Sequence, residues 1–207
     1  MRRYLGVLAA VLCLSAGSAN AATIFSDNFN SENGGTGALN YAGFSQFAIS
    51  GGTVDLIGNG FFDFYPGNGL YVDLDGSTND AGLMTADPFI LGPGSYTLSF
   101  YLGGSTRGDA PNAVNVNVTG LLGGSYASPT YTLASSDPLA LKQVGFTIGV
   151  PGDLLWFSFQ NAGGDNVGAI LDNVSLDSNE TAPVPEPASM LLLGSGIVAV
   201  ARRRWLA

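Results

Sequence analysis

The chain of 207 residues contains no histidine and a single cysteine, Cys13. Without histidine, neither a Ser-His-Asp nor a Cys-His nucleophile can be assembled, and a histidine-ligated zinc site is excluded. Because Cys13 lies in an apolar run near the N-terminus, residues 5–14, the rest of the chain has no thiol and no disulfide. Catalysis would have to use carboxylates, and stability must come from core burial or a bound ion.

Basic residues are scarce away from the two ends. Residues 22–187 hold two bases, Arg107 and Lys142, against all 16 acids, so their net charge is −14, compared with −9 for the whole chain. Such a body repels phosphate groups and anionic lipid, and we expect no nucleic-acid partner. Cations and neutral glycans remain open as ligands.

The N-terminus has the order of charge, apolar run and small residues that is typical of a secretory signal. Arg2 and Arg3 precede residues 5–14, which are too few to span a bilayer. Ala19 and Ala21 fit the −3 and −1 positions of a cleavage site, so we predict a signal peptide over residues 1–21, with a retained anchor as the weaker alternative.

The C-terminus has a second ordered pattern. The segment Val184, Pro185, Glu186, Pro187 is followed by apolar residues 188–201 and then by Arg202, Arg203 and Arg204. Arginines after an apolar segment stay on the cytoplasmic side, which predicts a transmembrane helix over 188–201 and a basic cytoplasmic tail over 202–207. A plain membrane anchor or a buried helix are the alternatives, and the three arginines argue against the buried helix.

This order of Pro-Glu-Pro, apolar helix and basic cluster resembles the PEP-CTERM sorting tail. The resemblance implies that an exosortase, a membrane-embedded cysteine protease or transpeptidase, recognises the chain near Pro185, Glu186 and Pro187. It also implies that the precursor is held in the inner membrane before it reaches the cell surface or the extracellular space. The prolines favour an extended backbone, which a protease can hold.

The remaining body, residues 22–178, is rich in glycine and in short alternating runs, which favours strands over helices. A linker over residues 179–187 follows it. We predict an all-β fold, a two-sheet antiparallel β-sandwich (jelly roll), flanked by the N-terminal signal helix and the C-terminal transmembrane helix. The clearest strands are predicted over 96–102, 114–118, 144–150 and 155–159, and weaker ones over 24–29, 44–49, 53–57, 70–74, 126–133 and 169–176.

The segments at residues 71–77, 94–100 and 170–176 resemble jelly-roll modules of the galactose-binding-like and carbohydrate-binding type. In such modules a structural calcium often ties the first strand to the last. The resemblance implies Asp27, Asn28 and Asp172 as calcium ligands here. Asp172 also falls on the apolar face of its predicted strand, where an uncompensated carboxylate is costly; a hydrogen-bonded acid at the sandwich rim is the alternative.

Two further acids, Asp73 and Asp75, are predicted to share one strand face. A carboxylate pair can hydrolyse a glycoside, but two acids on a solvated edge or at a cation are the more common arrangement. The run from Asp73 to Asp80 is similar to a calcium loop, although it lacks the glutamate and the full spacing of an EF-hand. We therefore expect an acidic turn there.

Aromatic side chains provide candidate glycan contacts. Tyr101 and Trp156 are predicted to point away from the apolar faces of their strands. A cluster of four aromatics lies between Gly60 and Pro66, namely Phe61, Phe62, Phe64 and Tyr65. Core packing is the alternative for each of them.

These observations predict an exported, non-enzymatic surface or extracellular-matrix protein, and the resemblance to PEP-CTERM proteins implies that it is associated with exopolysaccharide. A glycan-binding module is the first alternative, and a carboxylate-dependent glycan hydrolase is the second. Apart from a possible structural Ca²⁺, no cofactor is expected.

Overall fold

The structure, a computed structural model, describes residues 22–179. Within that range thirteen strands form two antiparallel sheets, which confirms the predicted sandwich. The predicted signal helix, sorting motif and transmembrane helix lie outside the described residues. Among residues 22–179, no helix is long and apolar enough to cross a membrane.

Sheet A contains six strands, which are β1 (Ala22–Asp27), β3 (Asp55–Gly58), β4 (Leu70–Asp73), β7 (Gly94–Gly103), β11 (Ala140–Ile148) and β13 (Ile170–Ser178). Their order across the sheet is β11-β7-β13-β4-β3, with β1 also paired to β13.

Sheet B contains seven strands, which are β2 (Phe47–Ser50), β5 (Leu83–Ala86), β6 (Phe89–Leu91), β8 (Asn112–Gly120), β9 (Gly124–Ala127), β10 (Thr130–Leu133) and β12 (Asp153–Asn161). Their order is β10-β8-β12-β5-β2, with β6 on β12 and β9 on β8. A short 3-10 turn, Glu32–Gly35, follows β1.

The core lies between the sheets because the long strands alternate apolar and polar side chains. In β8 the valines Val114, Val116 and Val118 are fully buried, and the polar residues Asn115 and Asn117 lie between them. Phe157 of β12 packs at ring-centroid distances of 5.3 Å from Phe25 and 5.9 Å from Phe89. Burial of one such side chain stabilises the fold by about 1.5–3 kcal/mol.

The last strand, β13, has two neighbours along one edge. Its first residues pair with β4 and its later residues with β1, while β7 runs along the other edge. The ladder with β7 is interrupted between Asp172 and Ser175, and Asn173 takes a positive φ of 47°. Such a bulge re-aims side chains locally, and it places Asp172 where the β13 edge passes from β4 to β1.

The four clearest predicted strands are present in β7, β8, β11 and β12, although the one predicted over 144–150 ends at Ile148, before Pro151. The predicted strand over 126–133 was wrong as a single element, because Ser128 and Pro129 separate β9 from β10 and proline cannot continue a ladder. β5 and β6 were missed, since each is only three or four residues long and Asp87 and Pro88 interrupt the pattern.

The outer face of sheet A, meaning the face turned away from the core, is covered in part by the aromatic loop, residues 59–69. Phe64 and Tyr65 of this loop pack on a small second cluster formed by Ile57, Tyr71 and Ile170. The Tyr65 hydroxyl donates to the carbonyls of Gly104 (2.8 Å) and Asp137 (2.9 Å), and the Tyr71 hydroxyl donates to Asp63 Oδ1 (3.0 Å). The loop is thus fixed to sheet A by both apolar contacts and hydrogen bonds.

Candidate functional site

The outer face of sheet B carries an aromatic ring among polar side chains without formal charge. Strand pairing places Trp156 beside Thr119, Ser158 beside Asn117, and Gln160 beside Asn115. Thr85 of β5 continues the row from Ser158. We call this surface the Trp156 face and define it by these seven residues: Thr85, Asn115, Asn117, Thr119, Trp156, Ser158 and Gln160.

The two asparagines of the Trp156 face are held by neighbouring hydroxyls. Thr130 Oγ1 donates to Asn115 Oδ1 (2.6 Å), and Ser128 Oγ donates to Asn117 Oδ1 (2.5 Å). Because the amide oxygens are used in this way, the amide NH₂ groups remain as donors, and neither has a partner among residues 22–179. The face therefore presents oriented donors on a rigid sheet.

Trp156 is half-buried and makes no ring contact with another aromatic side chain in the described part of the chain. Its indole is flat and apolar with one N–H donor. One face of a sugar ring exposes C–H groups and its edge exposes hydroxyls. A partly exposed indole flanked by amides and hydroxyls is suited to contact both parts of such a ligand.

Tyr101, the other predicted glycan contact, lies on the opposite side of the sandwich. It belongs to β7 of sheet A, is 37% exposed, and pairs with Leu141 and Asp172 in that sheet. Tyr101 and Trp156 each point away from the core, but they cannot contact the same sugar because the two sheets separate them.

The predicted calcium ligands Asp27 and Asp172 lie on neighbouring strands. Asp172 is fully buried, and its Oδ1 and Oδ2 accept hydrogen bonds from the Asn173 main-chain N–H (2.7 Å) and side-chain amide (3.0 Å). Burial, opposed by the Asn173 hydrogen bond and helped by the charge of Asp27, raises the pKa of Asp172 to about 7.

Asp27 is 8% exposed and only half satisfied. Its Oδ1 accepts from the Phe29 N–H (2.8 Å), whereas its buried Oδ2 has no partner in the described residues. Burial, opposed by the Phe29 hydrogen bond and helped by the charge of Glu32, raises the pKa of Asp27. Asp27 and Asp172 therefore form a pair of buried acids with one unsatisfied oxygen, which suits a cation.

Asn28 does not share this environment. It is exposed, and its Oδ1 accepts from the Asn30 N–H (3.2 Å) in a local turn. Across residues 22–179 no three acidic side chains are grouped so that they could hold a metal ion. An ion at Asp27 and Asp172 would need further oxygens from the main chain or from water.

The second acidic pair differs from its predicted arrangement. Asp73 ends β4, but Asp75 lies in the turn that follows, so the expectation of one shared strand face was wrong. Asp73 is 2% exposed and forms an ion pair with Arg107, which also lies 5.0 Å above the Phe64 ring. Neither Asp73 nor Asp75 is a solvated acid, because Asp73 is 2% exposed and Asp75 is fully buried.

The aromatic cluster of residues 61–65 is divided by the fold. Phe64 and Tyr65 face sheet A as part of the aromatic loop, whereas Phe61 and Phe62 are 36% and 54% exposed. Phe62, Phe64 and Arg107 line a cavity of about 160 Å³. The polar part of the lining includes Asp73, which forms the ion pair with Arg107.

Sequence reasoning missed the polar members of the Trp156 face. Asn115 and Asn117 alternate with the buried valines of β8, which marked them only as solvent-facing. Their position beside Trp156 depends on the pairing of β8 with β12, two strands that are separated by β9, β10 and β11 in the chain. The lack of charged residues over 112–120 and 154–161 was the one available signal.

The fold is a jelly roll similar to that of several carbohydrate-binding domains. The CBM22-1 xylan-binding domain of Paenibacillus barcinonensis Xyn10C matches with a TM-score of 0.52 at 11% identity, over 80% of this chain and 100% of that one. The CBM22-1–CBM22-2 tandem domain of the same protein gives 0.53 at 13% identity, over 84% and 50%. The K3 cleaved adhesin domain of Lys-gingipain from Porphyromonas gingivalis gives 0.50 at 16%, over 75% and 98%. At such identities the similarity concerns the fold alone.

The C-terminal tail matches the PEP-CTERM protein-sorting motif over residues 183–204. This match implies an exported protein that is sorted by an exosortase, as the order of Pro185, Glu186, Pro187 and the arginines predicted. No curated protein matches the chain.

Proposed function

We propose that this protein is a non-enzymatic, exosortase-sorted surface protein whose sandwich binds a neutral glycan on the Trp156 face. The observation that supports this most directly is the partly exposed indole of Trp156 within an uncharged field of amides and hydroxyls. Ligand sites commonly combine an apolar surface with a few placed polar groups. The jelly-roll fold, shared with a xylan-binding domain, agrees with this proposal.

We propose a neutral ligand because the body of the chain is strongly acidic. Residues 22–187 carry a net charge of −14, and the Trp156 face contributes no base that could neutralise an anionic sugar. Long-range repulsion would reduce the association rate of an acidic polysaccharide. A neutral exopolysaccharide of the producing cell is therefore the proposed partner, and matrix association is its consequence.

Glycoside hydrolysis finds little support in the acids of sheet A. Of the pair proposed for it, both Asp73 and Asp75 are closed to solvent, and Asp73 is engaged by Arg107. A general acid or base must come within hydrogen-bond reach of its substrate. Binding without turnover is the function that the exposed surface supports.

Glycan binding is tested by electrophoresis of the full-length chain, in mild detergent, through gels that contain neutral polysaccharides. We expect retardation by at least one of them, and Trp156→Ala to weaken binding about tenfold or more, since aromatic hot spots contribute about 2 kcal/mol or more. Tyr101→Ala is the matched control, because it removes an exposed aromatic from the other sheet. Equal retention of Trp156→Ala and the parent chain would contradict binding at the Trp156 face.

Sorting is proposed to begin with a precursor held in the inner membrane by residues 188–201, with Arg202, Arg203 and Arg204 on the cytoplasmic side. Mass spectrometry of the mature C-terminus, in cells with and without the sorting protease, tests this step. The expected product lacks the arginines only when the protease is present. An intact C-terminus in both strains would contradict exosortase processing without affecting the glycan proposal.

We also propose a structural calcium at Asp27 and Asp172. The partner-free Oδ2 of Asp27 and the full burial of Asp172 support it, and Asn28 is left out of the ligand set. Chelation should lower the melting temperature of the full chain, and Asp172→Asn should reduce that sensitivity. An unchanged melting curve of the parent chain in chelator would contradict this site.

A further inference from the structure

A second carboxylate, Asp75, is left without a partner in the interior. It lies in the turn after β4, is fully buried, and neither of its oxygens accepts a hydrogen bond within the described residues. A buried, unpaired carboxylate costs several kcal/mol, so native proteins neutralise it or give it a ligand. Asp75 is therefore the least satisfied acid among residues 22–179.

Asp165, in the loop between β12 and β13, lies against Asp75 from the solvent side. Asp165 is exposed, and its Oδ1 accepts from the Val167 N–H (2.9 Å). After burial, the charge of Asp165 is the strongest influence that raises the pKa of Asp75, to about 7, and its carboxylate lies within hydrogen-bond reach of Asp75. The two carboxyl groups thus lie close together, with that of Asp75 buried and that of Asp165 exposed to solvent.

The main chain around these acids is held in place. Asp73 Oδ1 accepts from the N–H groups of both Asp75 (3.1 Å) and Gly168 (2.9 Å), which ties the turn after β4 to the loop before β13. A side chain at Gly168 would collide with Asp73 and Asp75. Gly164 N–H also donates to the Asn79 carbonyl (3.2 Å). The positions of the two carboxyl groups are therefore fixed by hydrogen bonds between the turn after β4 and the loop before β13.

Charge around the pair is unbalanced. Three acids, Asp73, Asp75 and Asp165, lie together here with Arg107 as the base that acts on Asp75. That guanidinium is already committed to Asp73 and to the Asn166 carbonyl (3.2 Å). A divalent cation would offset the excess of acids and favour the ionised form of Asp75, and it would use the Asp75 oxygens that have no other partner among the described residues.

We propose that Asp75 and Asp165 bind a divalent cation of the calcium type, independently of the Asp27–Asp172 pair. Calcium takes six to eight oxygens and accepts main-chain carbonyls and water beside carboxylates, so two acids are sufficient when other oxygens complete the shell. The ion would join the turn after β4 to the β12–β13 loop. The run from Asp73 to Asp80 by itself is only an incomplete EF-hand-like loop, and Asp165 lies far from it in the chain.

The test is calcium titration calorimetry on the full-length chain in mild detergent at pH 7.5, after removal of bound metal by chelation. The parent chain should bind calcium, and Asp75→Asn and Asp165→Asn should each weaken one binding event at least tenfold. Asp80→Asn is the matched control, because Asp80 is an exposed acid that follows the same turn. Asp172→Asn should leave this event unchanged, which separates it from the other proposed site.

Folding of the variants can be checked without metal. Asparagine has the shape of aspartate without its charge, so Asp75→Asn should melt in chelator at or above the temperature of the parent chain. The proposal is overturned if Asp75→Asn binds calcium as the parent does. It is also overturned if calcium does not raise the melting temperature of the parent chain although Asp75→Asn melts at a higher temperature than the parent. The second result would mean that the two carboxyls share a proton instead of a metal ion.

Discussion

The outer faces of the two sheets differ in charge and in how far they are covered by loops. The Trp156 face of sheet B is uncharged and rich in amides and hydroxyls, and all of its residues except the buried Ser158 are exposed or half-buried. Sheet A, in contrast, is partly covered by the aromatic loop and holds buried acids such as Asp73 and Asp172. Both sheets come from strands with the same two-residue alternation. The difference arises from the connecting loops and the polar side chains: the aromatic loop returns over sheet A, and none of the seven residues of the Trp156 face is an acid.

The comparison predicts that substitutions on sheet A act on stability and those on sheet B act on binding. The largest effect is expected for Arg107→Ala, which leaves the nearly inaccessible carboxylate of Asp73 without its ion-pair partner. Breaking a buried pair from one side costs about 3–5 kcal/mol. Chemical denaturation should show this loss, with glycan affinity of the remaining folded protein unchanged.

Lys142→Ala is the control for that experiment. Lys142 is a base of β11 with no ion pair among the described residues, so its removal should change stability by less than about 0.5 kcal/mol. Similar losses for both variants would mean that the overall negative charge, and not the Asp73 contact, sets the stability.

A smaller effect is expected on the Trp156 face. Asn115→Ala and Asn117→Ala each remove an oriented amide donor, and a neutral hydrogen bond contributes about 1 kcal/mol, or about fivefold in affinity. Titration of the glycan that the parent chain binds would measure this change. Thr132→Ala is a suitable control, since Thr132 is an exposed residue of edge strand β10 outside the defined face.

The last expected effect is a change of stability with pH. Burial raises the pKa values of Asp75 and Asp172 to about 7, above the ordinary value of 3.8, so the folded state binds more protons than the unfolded state between those limits. Stability in chelator should therefore be highest near pH 4–5 and should fall as the pH rises through 7. The melting temperature in chelator should therefore drop between about pH 5 and about pH 7 and level off above that, because both acids are then ionised in the folded state as well.

Glycan affinity should stay constant over the same pH range, because no residue of the Trp156 face titrates there. Calcium should also reduce the pH dependence of the melting temperature if the acids bind it. Stability in chelator that rises over this range would contradict the assignment of Asp75 and Asp172 as destabilised acids.

Local pattern was sufficient for much of the fold. The alternation in β7, β8, β11 and β12 reports burial of one strand face, and this depends only on neighbours in sequence. It also placed Tyr101 and Trp156 on outer faces. It could not show that they belong to different sheets, because strand order is set by long-range pairing. The contact between Asp75 and Asp165, and the amides beside Trp156, were beyond prediction for the same reason.

The glycan account is tested most directly by fluorescence of Trp156 itself. The chain has two tryptophans, and Trp205→Phe leaves Trp156 as the sole indole. Addition of a glycan that retards the chain in gels should shift its emission to shorter wavelength, with a saturation curve that matches the binding curve, because a sugar ring would displace water from the indole. Full retention in the gel with no change in Trp156 emission would contradict binding at this face.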